Sequence, residues 1–194
     1  MEQLRSDFHG KCYIFENTEN TTLNVEHRIP HEGDSDLKFD WTNLYWACGH
    51  CNNIKGNRFQ PMLDCTDPHV DILSHIEYIP IRFPREHPTF KTLKESAEAT
   101  NTVNFLNAVF NGTTILKSME ADSLRRILLR EIKDFQDELI QYYEGENKIG
   151  VQERAMVRSR IERHLEAASP FAAFKRCIIR GNPALADDFP DCVA

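Results

Sequence analysis

The stretch DWTNLYWACGHCNNIKGNRF (Asp40–Phe59) gathers more chemically useful side chains than any other part of the 194-residue chain. Its amide, thiol and amine groups stand at Asn43, Cys48, Cys51, Asn52 and Lys55. The compact apolar run Leu44–Ala47 predicts a second strand or a buried turn. From Gly49 to Phe59 the sequence predicts a short helix that stops around Gly56. The stretch is therefore expected to place its polar groups on one strand and one helix.

A shorter partner lies upstream, LNVEHRIP (Leu23–Pro30), in which Leu23–His27 alternates apolar and polar residues as a short strand does. The polar segment Pro30–Asp40 predicts an extended loop that leads into the longer stretch. A strand, loop, strand and short helix bury little core, so a bound metal ion would help to stabilise such a unit.

Together these residues suit phosphodiester hydrolysis. Histidine titrates near neutral pH and is a natural general base, so His27 is a candidate to deprotonate water. A hard divalent cation needs only one or two protein oxygens, which a carboxylate and an amide can supply. Adjacent strand residues point to opposite faces, so Glu26 and His27 need a bend to serve one site. Asn52 and Lys55 are three residues apart and share a helix face, from which both could reach the scissile phosphate.

These motifs resemble those of HNH endonucleases with the ββα-metal fold: Glu-His in the first strand, Asn-Leu in the second turn, and Cys-x-x-Cys-Asn-x-x-Lys on the helix. The resemblance implies that His27 is the general base and that Asn43 orients its loop through backbone hydrogen bonds. It implies that Glu26 and Asn52 bind the catalytic Mg²⁺ (or Mn²⁺) and that Lys55 lies near the phosphate. Glu26 departs from the more usual aspartate of the family.

The same resemblance raises the question of a structural zinc ion. HNH proteins of this kind often use two Cys-x-x-Cys pairs, each cysteine as a thiolate in a tetrahedral site. Cys48 and Cys51 form one pair, and Cys12 begins the other, but Phe15 stands where its second sulfur should be. The open alternatives are a fourth ligand from another residue or a degenerate site filled by packing, and the candidate fourth ligands are Cys65, His50 and His9.

Composition and charge limit the classes of protein to which this chain could belong. A hydrophobic content of 41% and a charged content of 27% are ordinary for a globular chain of one domain, or of one domain with an appendage. The absence of a long apolar run and of an apolar segment at the start leads us to expect a cytoplasmic protein without a membrane span. The net charge of −7 argues against a freestanding, tight nucleic-acid binder. Residues 1–75 carry six basic against twelve acidic residues, so another subunit is expected to deliver the nucleic acid.

The second half of the sequence is mostly helical. After a proline-rich segment with one strand predicted near His75–Phe83, apolar residues recur at helical spacing, and stops are predicted at Gly112, Gly145, Ser169 and Gly181. We therefore predict an α+β protein with an HNH nuclease module at residues 1–75 and a connecting strand and helical region at residues 76–194. Arginines cluster around Arg125–Lys133 and Arg154–Arg163, where acidic residues balance them. We therefore expect these stretches to form a docking surface for a partner protein rather than a second nucleic-acid surface.

A narrower resemblance is to the HNH subunit (PtuB) of Septu-type antiphage systems, also found with certain retrons. It rests on the N-terminal cysteine turn, VEHRIPH, the Asp40–Phe59 stretch, Asp64–Pro68, and a helical half carrying FLN and LRRILLREI. It implies a nuclease effector, with DNA as the expected substrate, held by an ATPase partner (PtuA) in bacterial defence against phage. The alternative is a catalytically inactive zinc module that binds proteins or nucleic acid within a larger complex.

Overall fold

A computed structural model describes residues 1–18, 22–144 and 150–190. Its helices and strands in these ranges follow in chain order: α1 Glu2–Asp7, β1 Leu23–His27, α2 Ser35–Phe39, a 3-10 turn at Trp41–Asn43, β2 Leu44–Cys48, α3 Gly49–Lys55, α4 Ile72–His75, β3 Ile76–Ile79, β4 Thr89–Thr92, α5 Ala97–Asn111, α6 Ile115–Glu144, α7 Val151–Leu165, α8 Ala172–Arg180 and α9 Pro183–Asp188.

The predicted strand–strand–helix unit is confirmed. Strands β1 and β2 pair antiparallel, and their register sets Leu23 opposite Cys48 and His27 opposite Leu44. Helix α3 follows β2 directly, and the Cys48 sulfur accepts the Cys51 N–H at its first turn. It ends at Gly56, whose φ of +47° is a conformation that side chains other than glycine rarely adopt.

A second two-stranded sheet joins this unit to the helices. Strands β3 and β4 pair antiparallel, with Tyr78 opposite Phe90. The sequence predicted β3 near His75–Phe83 and missed β4, which lies at the end of the proline-rich connecting segment. Both rings are buried against Phe174 of α8, so this sheet packs on the helical half.

Helices α5 to α8 confirm the predicted helical region. The predicted apolar stripe of α6 is buried through Leu128, Ile132, Phe135, Leu139 and Tyr142. The predicted stop at Gly145 lies outside the described residues, whereas α5 does end before Gly112.

Three helices of five or six residues were not predicted, and neither was the four-residue helix α4 in the proline-rich segment. Helix α1 lies in a segment that the sequence indicated to be irregular, and α9 follows Asn182 after the last predicted stop. Helix α2 lies within the predicted extended loop, where the Asp34 carboxylate accepts the N–H groups of Asp36 and Leu37. Each is five or six residues long, and so short a segment leaves too few apolar positions for a helical period to be recognised.

One hydrophobic cluster includes residues of both halves: Cys12, Phe15 and Ile54 of the first pack with Phe105, Phe110 and Phe174 of the second. A smaller cluster joins α6, α7 and α9 through Phe135, Val157 and Phe189. The ββα unit therefore obtains much of its core from the helices that follow it. Over the residues described, no helix combines the length and apolar character that crossing a membrane requires.

Candidate functional site

A cleft of about 400 Å³ opens where the end of β1, the loop after it and α3 meet. Its lining residues are Glu26, His27, Pro30, His31, Glu32, Asn52, Gly56 and Asn57. Three of the residues predicted from the sequence, namely Glu26, His27 and Asn52, therefore share one cavity. His27 is the last residue of β1, and there the chain leaves the strand, so two adjacent residues can line one cleft.

The hydrogen bond of His27 fixes which ring nitrogen can act as a base. Its Nε2 lies 3.0 Å from the backbone carbonyl oxygen of Lys38. A carbonyl oxygen only accepts, so Nε2 carries the proton and the neutral ring keeps its lone pair on Nδ1. The sequence predicts His27 as the base, and in this tautomer Nδ1 is the ring nitrogen that could accept a proton.

Asn43 binds the loop that follows His27. Its side-chain oxygen accepts the Ile29 N–H at 2.7 Å, and its amide nitrogen donates to the carbonyls of Ile29 at 2.9 Å and Leu37 at 3.0 Å. Its own carbonyl accepts the Arg28 N–H at 2.9 Å. The residue is buried, so these bonds are shielded from water. They match the loop-orienting role that the sequence indicated.

Lys55 has a different position from the one expected. Its side chain is 1% exposed, and its ammonium donates to Glu26 Oε1 at 2.5 Å and to the His27 carbonyl oxygen at 2.7 Å. It does not line the cleft. The sequence predicted a lysine that meets the phosphate, whereas here the amine holds two residues of β1 from behind. A buried ammonium needs such partners because an unpaired one is costly.

Glu26 and Asn52 suit a hard divalent cation chemically. A carboxylate and an amide oxygen line the same cleft, and Mg²⁺ keeps several waters when it binds one or two protein oxygens. Lys55 engages one carboxylate oxygen, Oε1, which limits the directions that the Glu26 side chain can take. These residues fit the ion that the sequence analysis expected.

Two further cleft residues escaped the sequence reasoning, His31 and Glu32. The rings of His27 and His31 lie 4.8 Å apart in an edge-to-face contact. The signal that could have found His31 is its spacing of four residues from His27 across a turn-rich segment. The sequence analysis set no functional role on either residue.

A thiol triad lies deeper in the module. The sulfurs of Cys12, Cys48 and Cys51 all lie within 4.8 Å of one another, and all three residues are buried. Burial raises the pKa of the Cys12 thiol, but hydrogen bonds from the Cys48 and Cys51 thiols outweigh it and hold that pKa well below its usual value. Three thiolates at this spacing could bind zinc, which coordinates sulfur at about 2.3 Å.

The fourth tetrahedral position has no protein ligand among the described residues. Phe15 occupies the expected place, with its ring stacked on Phe110 at 4.3 Å. His50 is bound elsewhere, because its Nδ1 lies 2.7 Å from Glu120 and its Nε2 lies 2.8 Å from the Val109 carbonyl oxygen. Cys65 and His9 are not grouped with the triad either, so among the described residues none of the three fourth ligands that the sequence offered lies with the three sulfurs.

A larger cavity, of about 690 Å³, lies between α1, β2 and α8 and contains none of the residues expected to be catalytic. Its charged side chains are bonded within the protein: Lys11 to Glu16 at 3.5 Å, and Asp71 to Arg180 at 3.1 Å. Size therefore does not identify the reactive centre of this chain, and the chemistry points to the smaller cleft.

A ββα unit with a histidine, a carboxylate and an asparagine at one cleft, and a buried asparagine behind it, is the arrangement that the sequence analysis expects for a nuclease-type centre. Residues 10–58 match the family model described as HNH endonuclease. The match covers the thiol triad, β1, β2, α3 and the whole cleft, and it implies a nuclease-type function for this segment. Searches of curated proteins and of solved structures gave no match to the chain.

Proposed function

We propose that the protein is a metal-dependent endonuclease that hydrolyses phosphodiester bonds in DNA. The observation that carries the proposal is the arrangement at the cleft. His27 presents an unprotonated Nδ1 there, on a loop bound by Asn43, and Glu26 and Asn52 line the same cavity.

The reaction is an in-line displacement. His27 Nδ1 takes a proton from a water molecule, and the oxygen of that water forms a bond to phosphorus as the bond to the leaving sugar oxygen breaks. The Lys38 carbonyl supports the positive charge that develops on the imidazole, because it accepts the hydrogen bond from Nε2. The leaving oxygen takes its proton from solvent.

Glu26 and Asn52 are the residues that would hold the divalent ion, Mg²⁺ or Mn²⁺. When bound, such an ion offsets charge on the phosphate and stabilises the leaving oxygen. Lys55 contributes by holding Glu26 and the His27 backbone at fixed positions.

The experiment is cleavage of supercoiled plasmid by the purified full chain, alone and with its partner, with Mg²⁺ or with EDTA. The proposal predicts nicked or linear products that require the metal. No cleavage under any of these conditions would contradict it and favour the inactive interaction module.

We also propose that the chain acts in a cytoplasmic antiphage complex in which an ATPase subunit delivers the DNA. The net charge of −7 supports dependence on a partner, and so does a cleft lined by two carboxylates. Several arginines of the helical half are bonded internally, including Arg125 to the Phe110 carbonyl and Arg160 to Glu138, which favours protein docking over DNA binding there. The predicted division at residue 75 assigns the docking surface to residues 76–194. Co-purification with an ATPase encoded by a neighbouring gene tests the partnership, and a gain of plasmid cleavage in the complex is expected.

For the thiol triad we propose a structural zinc ion bound by three thiolates of Cys12, Cys48 and Cys51. It would stabilise the module without reacting, since none of the three lines the cleft. Metal analysis of the purified protein tests this role. Less than about a tenth of an equivalent of zinc would exclude it and leave a thiol core closed by packing.

A further inference from the structure

The cleft has no cationic side chain where the phosphate would bind. Its lining contains two carboxylates, Glu26 and Glu32, and neither lysine nor arginine. Lys55, the cation expected there, is buried behind Glu26. Beside the divalent ion, the side chains of this cleft that could bind a phosphate are therefore neutral hydrogen-bond donors, its histidines and asparagines.

His31 has that donor in the required state. Its Nδ1 accepts the Gly33 N–H at 3.1 Å, and an amide N–H can only donate. The Nδ1 atom is therefore unprotonated, and the neutral ring carries its proton on Nε2, the nitrogen not used by the loop. His27 has the opposite tautomer, because its Nε2 faces the Lys38 carbonyl. The two rings, whose centroids lie 4.8 Å apart in an edge-to-face contact, therefore have opposite tautomers, one with a free acceptor nitrogen and one with a free donor nitrogen.

The loop is built to hold this ring in place. The His31 carbonyl oxygen accepts the Asp34 N–H at 2.7 Å, which closes a tight turn. Glu32 and Gly33 in that turn both have positive φ, 46° and 97°. A non-glycine residue in this conformation costs free energy and persists only where its surroundings impose it. The turn sets His31 at the cleft beside His27.

We propose that His31 is a further catalytic residue that binds the scissile phosphate. Its Nε2–H donates a hydrogen bond to a nonbridging phosphate oxygen, the role that the sequence gave to Lys55. In this role the ring binds the phosphate and transfers no proton, since Nδ1 is engaged as the acceptor of the Gly33 N–H. This inference rests on the proposed nuclease function.

The first test needs no cleavage. Nitrogen-detected NMR of the full chain in EDTA reports the tautomer of each histidine, and dimethyl phosphate supplies the charge and oxygens of a diester. We expect His31 with its proton on Nε2, and an Nε2 resonance that shifts on titration with dimethyl phosphate. A proton on Nδ1, or a phosphate-dependent shift of Lys55 with none at His31, would overturn the inference.

The second test separates hydrogen bonding from packing. His31→Phe keeps a ring against His27 but removes the donor, and His31→Gln restores an amide N–H close to the position of Nε2. A hydrogen bond to a charged oxygen predicts a 10- to 100-fold slower cleavage by His31→Phe, with recovery to within about threefold of wild type by His31→Gln. Equal loss in both variants, or none in either, would argue against the donor.

Sulfur substitution at the scissile phosphate identifies the contact. In the wild type, sulfur at the nonbridging position facing His31 should slow cleavage, because sulfur accepts hydrogen bonds weakly. In His31→Phe the same stereoisomer should cause a smaller additional loss than in the wild type. An equal sulfur effect in both proteins would exclude contact with that oxygen. If the wild type cleaves nothing while dimethyl phosphate still shifts His31, the nuclease proposal fails and the phosphate site stands.

Discussion

At the scale of single residues, the cleft depends on hydrogen bonds that leave each side chain one role. The Lys38 carbonyl accepts from His27 Nε2 and so leaves Nδ1 as the nitrogen that can accept a proton, and Asn43 binds Ile29 and Leu37 across the loop. Lys55 is joined to Glu26 and to the backbone of His27. The residues behind the cleft are therefore as decisive for its geometry as those that line it.

Replacing Asn43 by Ala removes three side-chain hydrogen bonds from a buried position. We expect a loss of about 2 kcal/mol in the free energy of unfolding, because two carbonyls and one N–H lose their partner. We also expect faster amide exchange between residues 28 and 38 and slower cleavage. Hydrogen exchange followed by mass spectrometry measures the loop, and wild-type exchange there would contradict the assigned role.

Replacing Lys55 by Met tests whether this amine contacts the phosphate. Since it pairs internally, the variant should lose about 3 kcal/mol of stability, because Glu26 is left without its partner. DNA binding should keep the salt dependence of the wild type, whereas loss of a phosphate contact would reduce the salt slope by about one. The control is Lys133→Met, which removes an exposed cation on α6 and should change stability by less than about 0.5 kcal/mol. A reduced slope with unchanged stability in Lys55→Met would restore the phosphate role.

At the scale of elements, the site lies where a strand end, a loop and a helix start meet, and α5 and α6 support it from behind. His50 on α3 bonds to the Val109 carbonyl of α5 and to Glu120 of α6. Phe15, beside the thiol triad, stacks on Phe110 of α5. The end of α5 and the start of α6 therefore contact the ββα unit and help to hold it in place.

Gly112 makes that turn possible, and its replacement by Ala should disrupt it. Its φ is +76°, and an added Cβ would lie 2.4 Å from the backbone nitrogen of Ser118. We expect a loss of about 2 kcal/mol or more, measured by chemical denaturation, because backbone atoms cannot move aside as a side chain can. Gly150→Ala is the control, since an added Cβ there meets nothing within 4 Å. Equal stability of the two variants would contradict the steric argument.

At the scale of the whole molecule, the helical half has a polar centre of its own. The buried Lys175 ammonium lies 2.9 Å from Glu131 and 3.0 Å from Nδ1 of His164, which links α6, α7 and α8. Burial lowers the pKa of His164, and the Lys175 charge lowers it further. The same burial lowers the pKa of Lys175.

The lowered pKa of His164 makes stability depend on pH. The unfolded chain binds the His164 proton more tightly than the folded one, so this contribution is present above the ordinary histidine pKa of about 6.5. It is lost as the pH falls through the lower, folded value. Denaturant unfolding at pH 7.5, 6.5 and 5.5 should show a smaller acid loss in His164→Asn, whose side-chain oxygen can still accept from Lys175. The control is His69→Asn, at an exposed position. Parallel curves for wild type and His164→Asn would contradict the prediction.

The sequence predicts what depends on local pattern. Alternation predicts β1, a compact apolar run predicts β2, and Gly56 ends α3, while the place of Asn43 at the junction of loop and strand indicates a loop-orienting role. Contacts between distant segments are beyond such reasoning. Lys55 bonds to Glu26 because α3 packs beside β1. His50 bonds to Glu120 and to the Val109 carbonyl because α5 and α6 pack against α3, so it does not join the thiol triad. The donor state of His31 depends on one backbone bond to Gly33, which no residue pattern encodes.

The most direct measurement is single-turnover plasmid cleavage by wild type and His27→Ala at equal metal, partner and DNA concentrations, with thermal melts of both proteins as a control. If His27 is the general base, the variant should keep its fold and lose cleavage by 100-fold or more, within the usual range of about 10²–10⁴ for such catalysis. Cleavage by a folded His27→Ala variant at the wild-type rate would contradict the account.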